Sequence, residues 1–177
     1  MPIETVPNGN AIMKELLILR HAKSDHSDGR LRDHDRPLNT RGSSAAPRMG
    51  RHLLQHGLIP DLLLCSTAVR TMQTAALVAE AAELDAKTDF VDELYLASPQ
   101  TILETAATRG GDAQRILMIG HNPGCEDVLM VLGLGLHEMP TCALAHIQID
   151  IDDWALLPTA DQATLANLWL VRKLPDE

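Results

Sequence analysis

The chain has 177 residues, 45% of them hydrophobic, 22% charged and 2% aromatic, and a formal net charge of −9. That size and composition suit one globular domain with a core of Leu, Ala, Ile and Val. The acidity argues against a nucleic-acid partner, which needs a positive footprint, and no apolar run reaches the roughly 18 residues of a membrane span.

Residues 1–12 include Pro2, Pro7, Gly9 and Asn10 and predict a flexible tail; Met13 offers an alternative start. Residues 13–177 are expected to form a single domain, with no repeat and no dividing linker. Cys65, Cys125 and Cys142 form no CxxC pair, so neither zinc nor dithiol chemistry is indicated. Few cysteines in odd number fit a cytoplasmic protein.

Lys14 to Leu19 predicts the first strand. Lys23 to Thr40 is a long polar loop without apolar periodicity, a type that is often functional. Thr40 to Gln55 predicts a helix with Thr40 as N-cap, Gly57 as its stop and Pro47 as a late start or kink. Asp61 to Cys65 is a second strand, followed by a helix over Ser66 to Leu84. Phe90-Val91 is a brief strand. Ser98 caps a helix that opens with Pro99 and runs to about Thr108, where Arg109-Gly110-Gly111 breaks it.

Arg115 to Ile119 is a third clear strand, and Pro123 to Leu132 a short helix ended by Gly133 and Gly135. Ala143 to Ile149 and Thr164 to Arg172 read as late strands, with Asp150 to Ala163 as a hairpin connection. Strands alternating with helices predict an α/β three-layer sandwich: a mostly parallel central sheet flanked by helices.

Two words place histidines just past strand ends. Leu19-Arg20-His21-Ala22 follows the first strand, and Gly120-His121-Asn122-Pro123-Gly124 follows the third clear one. Ligands bind at that edge of open α/β sheets. A neutral imidazole at position 21 can act as a nucleophile at phosphorus, and the adjacent Arg20 can clamp phosphate oxygens. A third word, Ser66-Thr67-Ala68-Val69-Arg70-Thr71-Met72-Gln73-Thr74, turns from strand to helix and puts Arg70 near a helix amino terminus, where anions bind. His121 can donate to a transferring phosphoryl group.

Jointly, the LRHA strand end, the S-x-x-x-R-x-x-Q-T turn and the late GHNPG resemble the histidine phosphatase superfamily (phosphoglycerate mutase-like), in its short SixA-type phosphohistidine phosphatase branch. Asp35-Arg36-Pro37-Leu38-Asn39-Thr40-Arg41-Gly42 and Met139-Pro140-Thr141 add to the likeness, which covers about residues 13 to 172. The resemblance implies a phosphoglycerate mutase-like fold without large helical insertions. It implies that His21 becomes phosphorylated while Arg20, Arg70 and His121 surround the phosphate, with neither metal nor cofactor. Ser24, Ser27 and Asn122 are candidate substrate-binding residues. Ala22 and Ser27 stand where many relatives carry glycine and asparagine.

For the general acid, Glu93 lies in the region where larger relatives place a glutamate, with Asp25 and Asp35 as rivals. The implied substrate is phosphohistidine on a protein, such as a histidine phosphotransfer domain in signal transduction. A small phosphoester and a noncatalytic phosphate-binding module are the alternatives. His52 and His56, four apart on a helix, lack a third metal ligand; His26 and His34 could line the pocket. His137 and His146 carry no motif, and Trp154 and Trp169 are read as packing residues.

Overall fold

A computed structural model of the chain describes residues 13–175. The expected tail, residues 1–12, lies outside the described residues. Six strands form one sheet: β1 (Lys14–Arg20), β2 (Leu62–Ser66), β3 (Lys87–Val91), β4 (Arg115–Gly120), β5 (Leu144–Ile149) and β6 (Ala163–Trp169). Their order is β3-β2-β4-β1-β5-β6. The β1–β4, β2–β4 and β2–β3 pairings are parallel, while β5 is antiparallel to both β1 and β6. Only β5 is therefore reversed.

The helices are α1 (Thr40–Gln55), α2 (Val69–Ala81), α3 (Pro99–Arg109) and α4 (Gly124–Val131). Alternate residues of each central strand feed opposite layers. Leu17, Leu19, Leu63, Leu117 and Ile119 pack with Ala46, Met49 and Leu53 of α1 and Ala75 and Val78 of α2. Leu16, Ile18, Leu64, Ile116 and Met118 pack with Ile102 and Ala106 of α3 and Val128 and Leu129 of α4. Burial on both faces explains why β1, β2 and β4 read as unbroken apolar runs. The result is the expected three-layer sandwich.

Several boundaries differ from expectation. Asn39, not Thr40, caps α1: its side chain accepts from the Gly42 N–H at 2.9 Å. The helix starts at Thr40 and runs through Pro47, so the ring deprives only the Ser43 carbonyl of an intrahelical donor. Ser66 ends β2 instead of starting α2, which begins at Val69. The brief strand at Phe90 extends back to Lys87. Between β5 and β6, a 3-10 turn over Trp154–Thr159 drives Trp154 into the α3 layer. Trp169 packs in the opposite layer, so both tryptophans are packing residues.

The long loop after β1 is tied down rather than free. Ser24 bridges to Leu38, and a 3-10 turn covers Asp33–Asp35. Gly42 permits close approach of α1: a Cβ there would lie 2.2 Å from the Lys23 carbonyl oxygen. At Gly124 the same applies, with the Ala97 carbonyl oxygen 2.2 Å away. Both motif glycines thus let a helix start press against a neighbouring main chain.

Candidate active site

The carboxyl ends of β1, β2 and β4 bring His21, Arg70 and His121 together. The His21 ring accepts from Arg70 Nε at Nε2, 3.3 Å away, and its Nδ1 donates to the Ala22 carbonyl at 2.7 Å. An arginine can only donate, so Nε2 is the bare nitrogen of His21. His121 has the opposite tautomer. Its Nδ1 accepts from Arg70 Nη2 at 3.2 Å and its Nε2 faces Ser66 Oγ at 2.8 Å. The two imidazole centroids are 5.2 Å apart.

Burial holds both rings neutral. It pushes the His21 pKa down to about 4, against the opposing Ala22 hydrogen bond and with help from the Arg70, Arg20 and Arg36 charges. Burial likewise lowers His121 to about 3, assisted by His21 and Arg70. His21 therefore keeps its Nε2 lone pair at neutral pH.

The Q-T end of the strand-to-helix word is structural. Thr74 Oγ1 accepts from the Ala22 N–H at 3.0 Å and donates to the Arg70 carbonyl at 2.7 Å. Gln73 Oε1 accepts from the Leu38 N–H at 2.7 Å, tying the long loop to α2. Arg20 sends Nη1 to the Met139 carbonyl at 2.8 Å, while its buried Nε has no protein partner.

A model of the histidine phosphatase superfamily (branch 1) matches residues 16–94. An uncharacterised chloroplastic protein of Arabidopsis thaliana is 30% identical over 155 residues, spanning 81% of this chain and 70% of that protein. The protein assigned as phosphohistidine phosphatase SixA of Agrobacterium tumefaciens has a similar structure, with a TM-score of 0.76 at 27% identity over 89% of this chain and 97% of that one. The chain belongs to the histidine phosphatase superfamily. A second such structure, from Nakamurella multipartitia, gives a TM-score of 0.75 at 29% identity over 93% of this chain and 98% of that one. The phosphoglycerate mutase-like fold is shared with these SixA structures.

The other expected site residues are placed less centrally in this member of the histidine phosphatase superfamily. Ser24 is buried, its hydroxyl 3.5 Å from His26 Nε2. Ser27 is exposed and gives its N–H to Asp25 Oδ1 at 2.8 Å, a bond that lowers the Asp25 pKa. Asn122 donates to Glu126 Oε1 at 2.7 Å and to the Met139 carbonyl at 3.1 Å, so both amide hydrogens are engaged within the protein. Glu126 also accepts from the Met139 N–H at 2.7 Å. Together Asn122 and Glu126 fix the carbonyl that holds Arg20.

Glu93 is exposed and lines a groove against α3 with Thr101, Thr105 and Arg109. Asp35 is exposed beside His34, at 3.4 Å. The carboxylate that reaches Arg70 is Asp33, two residues earlier, with Nη2 to Oδ2 at 3.0 Å. The Tyr95 hydroxyl donates to the same oxygen at 2.6 Å, and Arg36 Nη2 reaches Oδ1 at 2.8 Å. The Tyr95 hydrogen bond, with the Arg70 and Arg36 charges, pulls the Asp33 pKa down to about 2.

His34 approaches the rim, its ring 4.9 Å from that of Tyr95, and His26 lies against Arg36. His52 and His56 meet at a tilt, ring centroids 4.0 Å apart, beside Trp169 and away from these groups. Among the described residues, no three or more His, Cys, Asp or Glu side chains are grouped to hold a metal ion, and no helix is long and apolar enough to cross a membrane. The three cysteines are buried, which raises each thiol to about 12.

Ser66, Asp33, Tyr95 and Glu126 were not singled out by the sequence reading. Only Ser66 had a signal, as the first letter of the strand-to-helix word.

Proposed function

We propose that this protein is a metal-independent phosphatase that hydrolyses phosphohistidine on a protein through a covalent intermediate at His21. The observation that carries this reading is the unprotonated Nε2 of His21, held by the Ala22 carbonyl on one side of the ring and Arg70 on the other. The Nε2 lone pair attacks phosphorus, and the P–N bond to the substrate imidazole breaks. Water then attacks the phosphorus, the Nε2–P bond breaks, and inorganic phosphate leaves. Arg20 and Arg70 stabilise charge on the equatorial oxygens, which is most of what phosphoryl transfer asks of a protein, while His121, its N–H turned to Ser66, accepts from Arg70 and helps to aim it.

The leaving group favours phosphohistidine over an alkyl ester. An alkoxide needs a proton donor, whereas a phosphohistidine ring that arrives protonated leaves as neutral imidazole. Asp33, the carboxylate on Arg70, is held ionised and offers no proton. The similarity to SixA structures supports the same substrate class, and a phosphotransfer domain of a signalling relay, in the cytoplasm, would supply it.

Acid-quench trapping tests the proposal. Labelled phosphate should be trapped on the wild-type protein and not on His21→Ala, and a phosphohistidine protein should be turned over faster than small phosphomonoesters. Full phosphatase activity in His21→Ala overturns the mechanism. Faster turnover of the small esters overturns the substrate assignment, and no turnover with no trapped phosphate leaves a noncatalytic phosphate-binding module.

A further inference from the structure

A guanidinium has two bidentate edges, one formed by Nε and Nη2 and the other by Nη1 and Nη2. On Arg70 these edges are divided between two sets of partners. The Nε and Nη2 edge faces the histidines, with His21 Nε2 at 3.3 Å and His121 Nδ1 at 3.2 Å. The Nη1 and Nη2 edge faces Asp33 alone: Nη1 donates to its main-chain carbonyl at 2.6 Å and Nη2 to its carboxylate at 3.0 Å.

Asp33 is itself braced. Tyr95 donates to Oδ2 at 2.6 Å, and Arg36 holds Oδ1 through Nη2 at 2.8 Å and Nε at 3.1 Å. The Tyr95 ring also stands edge-on to His121, centroids 5.5 Å apart, and lies 5.9 Å from the Arg70 guanidinium carbon. The Arg70 side chain is 2% exposed and that of Asp33 50%. The carboxylate is thus a half-exposed anion that grips the outer edge of a buried cation.

We propose that Asp33 is a positioning residue, which clamps the outer edge of Arg70 so that the inner edge meets the phosphoryl oxygens, with Tyr95 as its brace. Phosphate then binds with the clamp in place. The proposal rests on His21 being the phosphoryl acceptor. Without Asp33 the long Arg70 side chain regains rotamer freedom, and the donors that must meet developing charge are no longer fixed. A different role for the same carboxylate, as an internal anion that phosphate must evict, makes the opposite kinetic prediction.

Asp33→Ala, Asp33→Asn and Tyr95→Phe separate the two roles. Misplacing a positioning contact costs up to about a hundredfold in rate, so Asp33→Ala should lower kcat by roughly tenfold to a hundredfold while KM moves by less than about threefold. Asp33→Asn keeps an acceptor oxygen and should lose less. In Asp33→Ala, the Arg70 Nε–H should exchange with solvent faster by NMR, a change that general destabilisation at constant folded fraction would not select.

If Asp33→Ala folds poorly, Tyr95→Phe reads the same clamp through a smaller kcat loss and faster Arg70 Nε–H exchange. An unchanged or raised kcat with a lowered KM overturns the proposal and makes Asp33 a competing anion. Unchanged kcat with a lowered Tm overturns it too, leaving a purely structural contact. Throughout, trapped phosphate should remain dependent on His21. Its persistence in His21→Ala would be a failure of the functional reading rather than of the clamp.

Discussion

At the scale of single residues, the site is a division of labour between two histidines that share one arginine. Arg70 donates to both rings and so imposes opposite tautomers on them. His21 is left with its lone pair inward. Ring-nitrogen NMR checks this directly: His21 should remain neutral, with its proton on Nδ1, from about pH 8 to about pH 5, and titrate near the value of about 4 that burial imposes. A midpoint near the ordinary histidine value of about 6.5 would show that Nε2 is not shielded as described. His21, Arg70, His121 and Arg20 were legible because each sits next to an apolar strand or helix start that fixes its place. Asp33 was not. It lies in a loop without periodicity, among Asp25, Asp28 and Asp35, and only folding shows which carboxylate meets Arg70.

At the scale of elements, short main-chain contacts decide where the helices begin. α1 starts where Asn39 accepts from Gly42, and Gly42 in turn has no room for a side chain against Lys23. An N-cap side chain contributes about 1 kcal/mol. Asn39→Ala should therefore lower unfolding stability by about 1 kcal/mol, whereas Thr40→Ala should change it by less than about 0.5 kcal/mol. Urea unfolding of both variants checks this, and a larger loss at Thr40 would return the cap to that residue. The Ser98 cap of α3 was legible because Pro99 follows it. The α1 cap was one residue off, since Asn39 and Thr40 are both good cap types and the pattern alone cannot rank them. β6 stops short of the expected Arg172 because Leu170 and Val171 prolong its apolar run in sequence, yet a 3-10 turn takes over at Val171.

At the scale of the whole molecule, the sandwich buries neutral histidines both at the sheet's edge and in a helix layer. His21 and His121 lie at one edge, and His52, lowered to about 4 by burial and then by the His56 charge, lies on the buried face of α1. An unfolded chain protonates these rings below a pH of about 6.5, while the fold keeps them neutral, so the unfolded state binds more protons in that window. Stability is thus fully present above pH about 6.5 and falls as the pH drops toward 4, by up to about 1.4 kcal/mol per pH unit for each fully shielded ring. Urea midpoints at about pH 7 and about pH 5 should differ accordingly, and equal midpoints would contradict the burial of neutral rings. Tyr95 is the only tyrosine in the chain, and its hydroxyl ends on the carboxylate that grips Arg70. Protein grown with 3-fluorotyrosine would carry a single fluorine, and its resonance would follow oxyanion binding at the arginine without any reporter having been engineered.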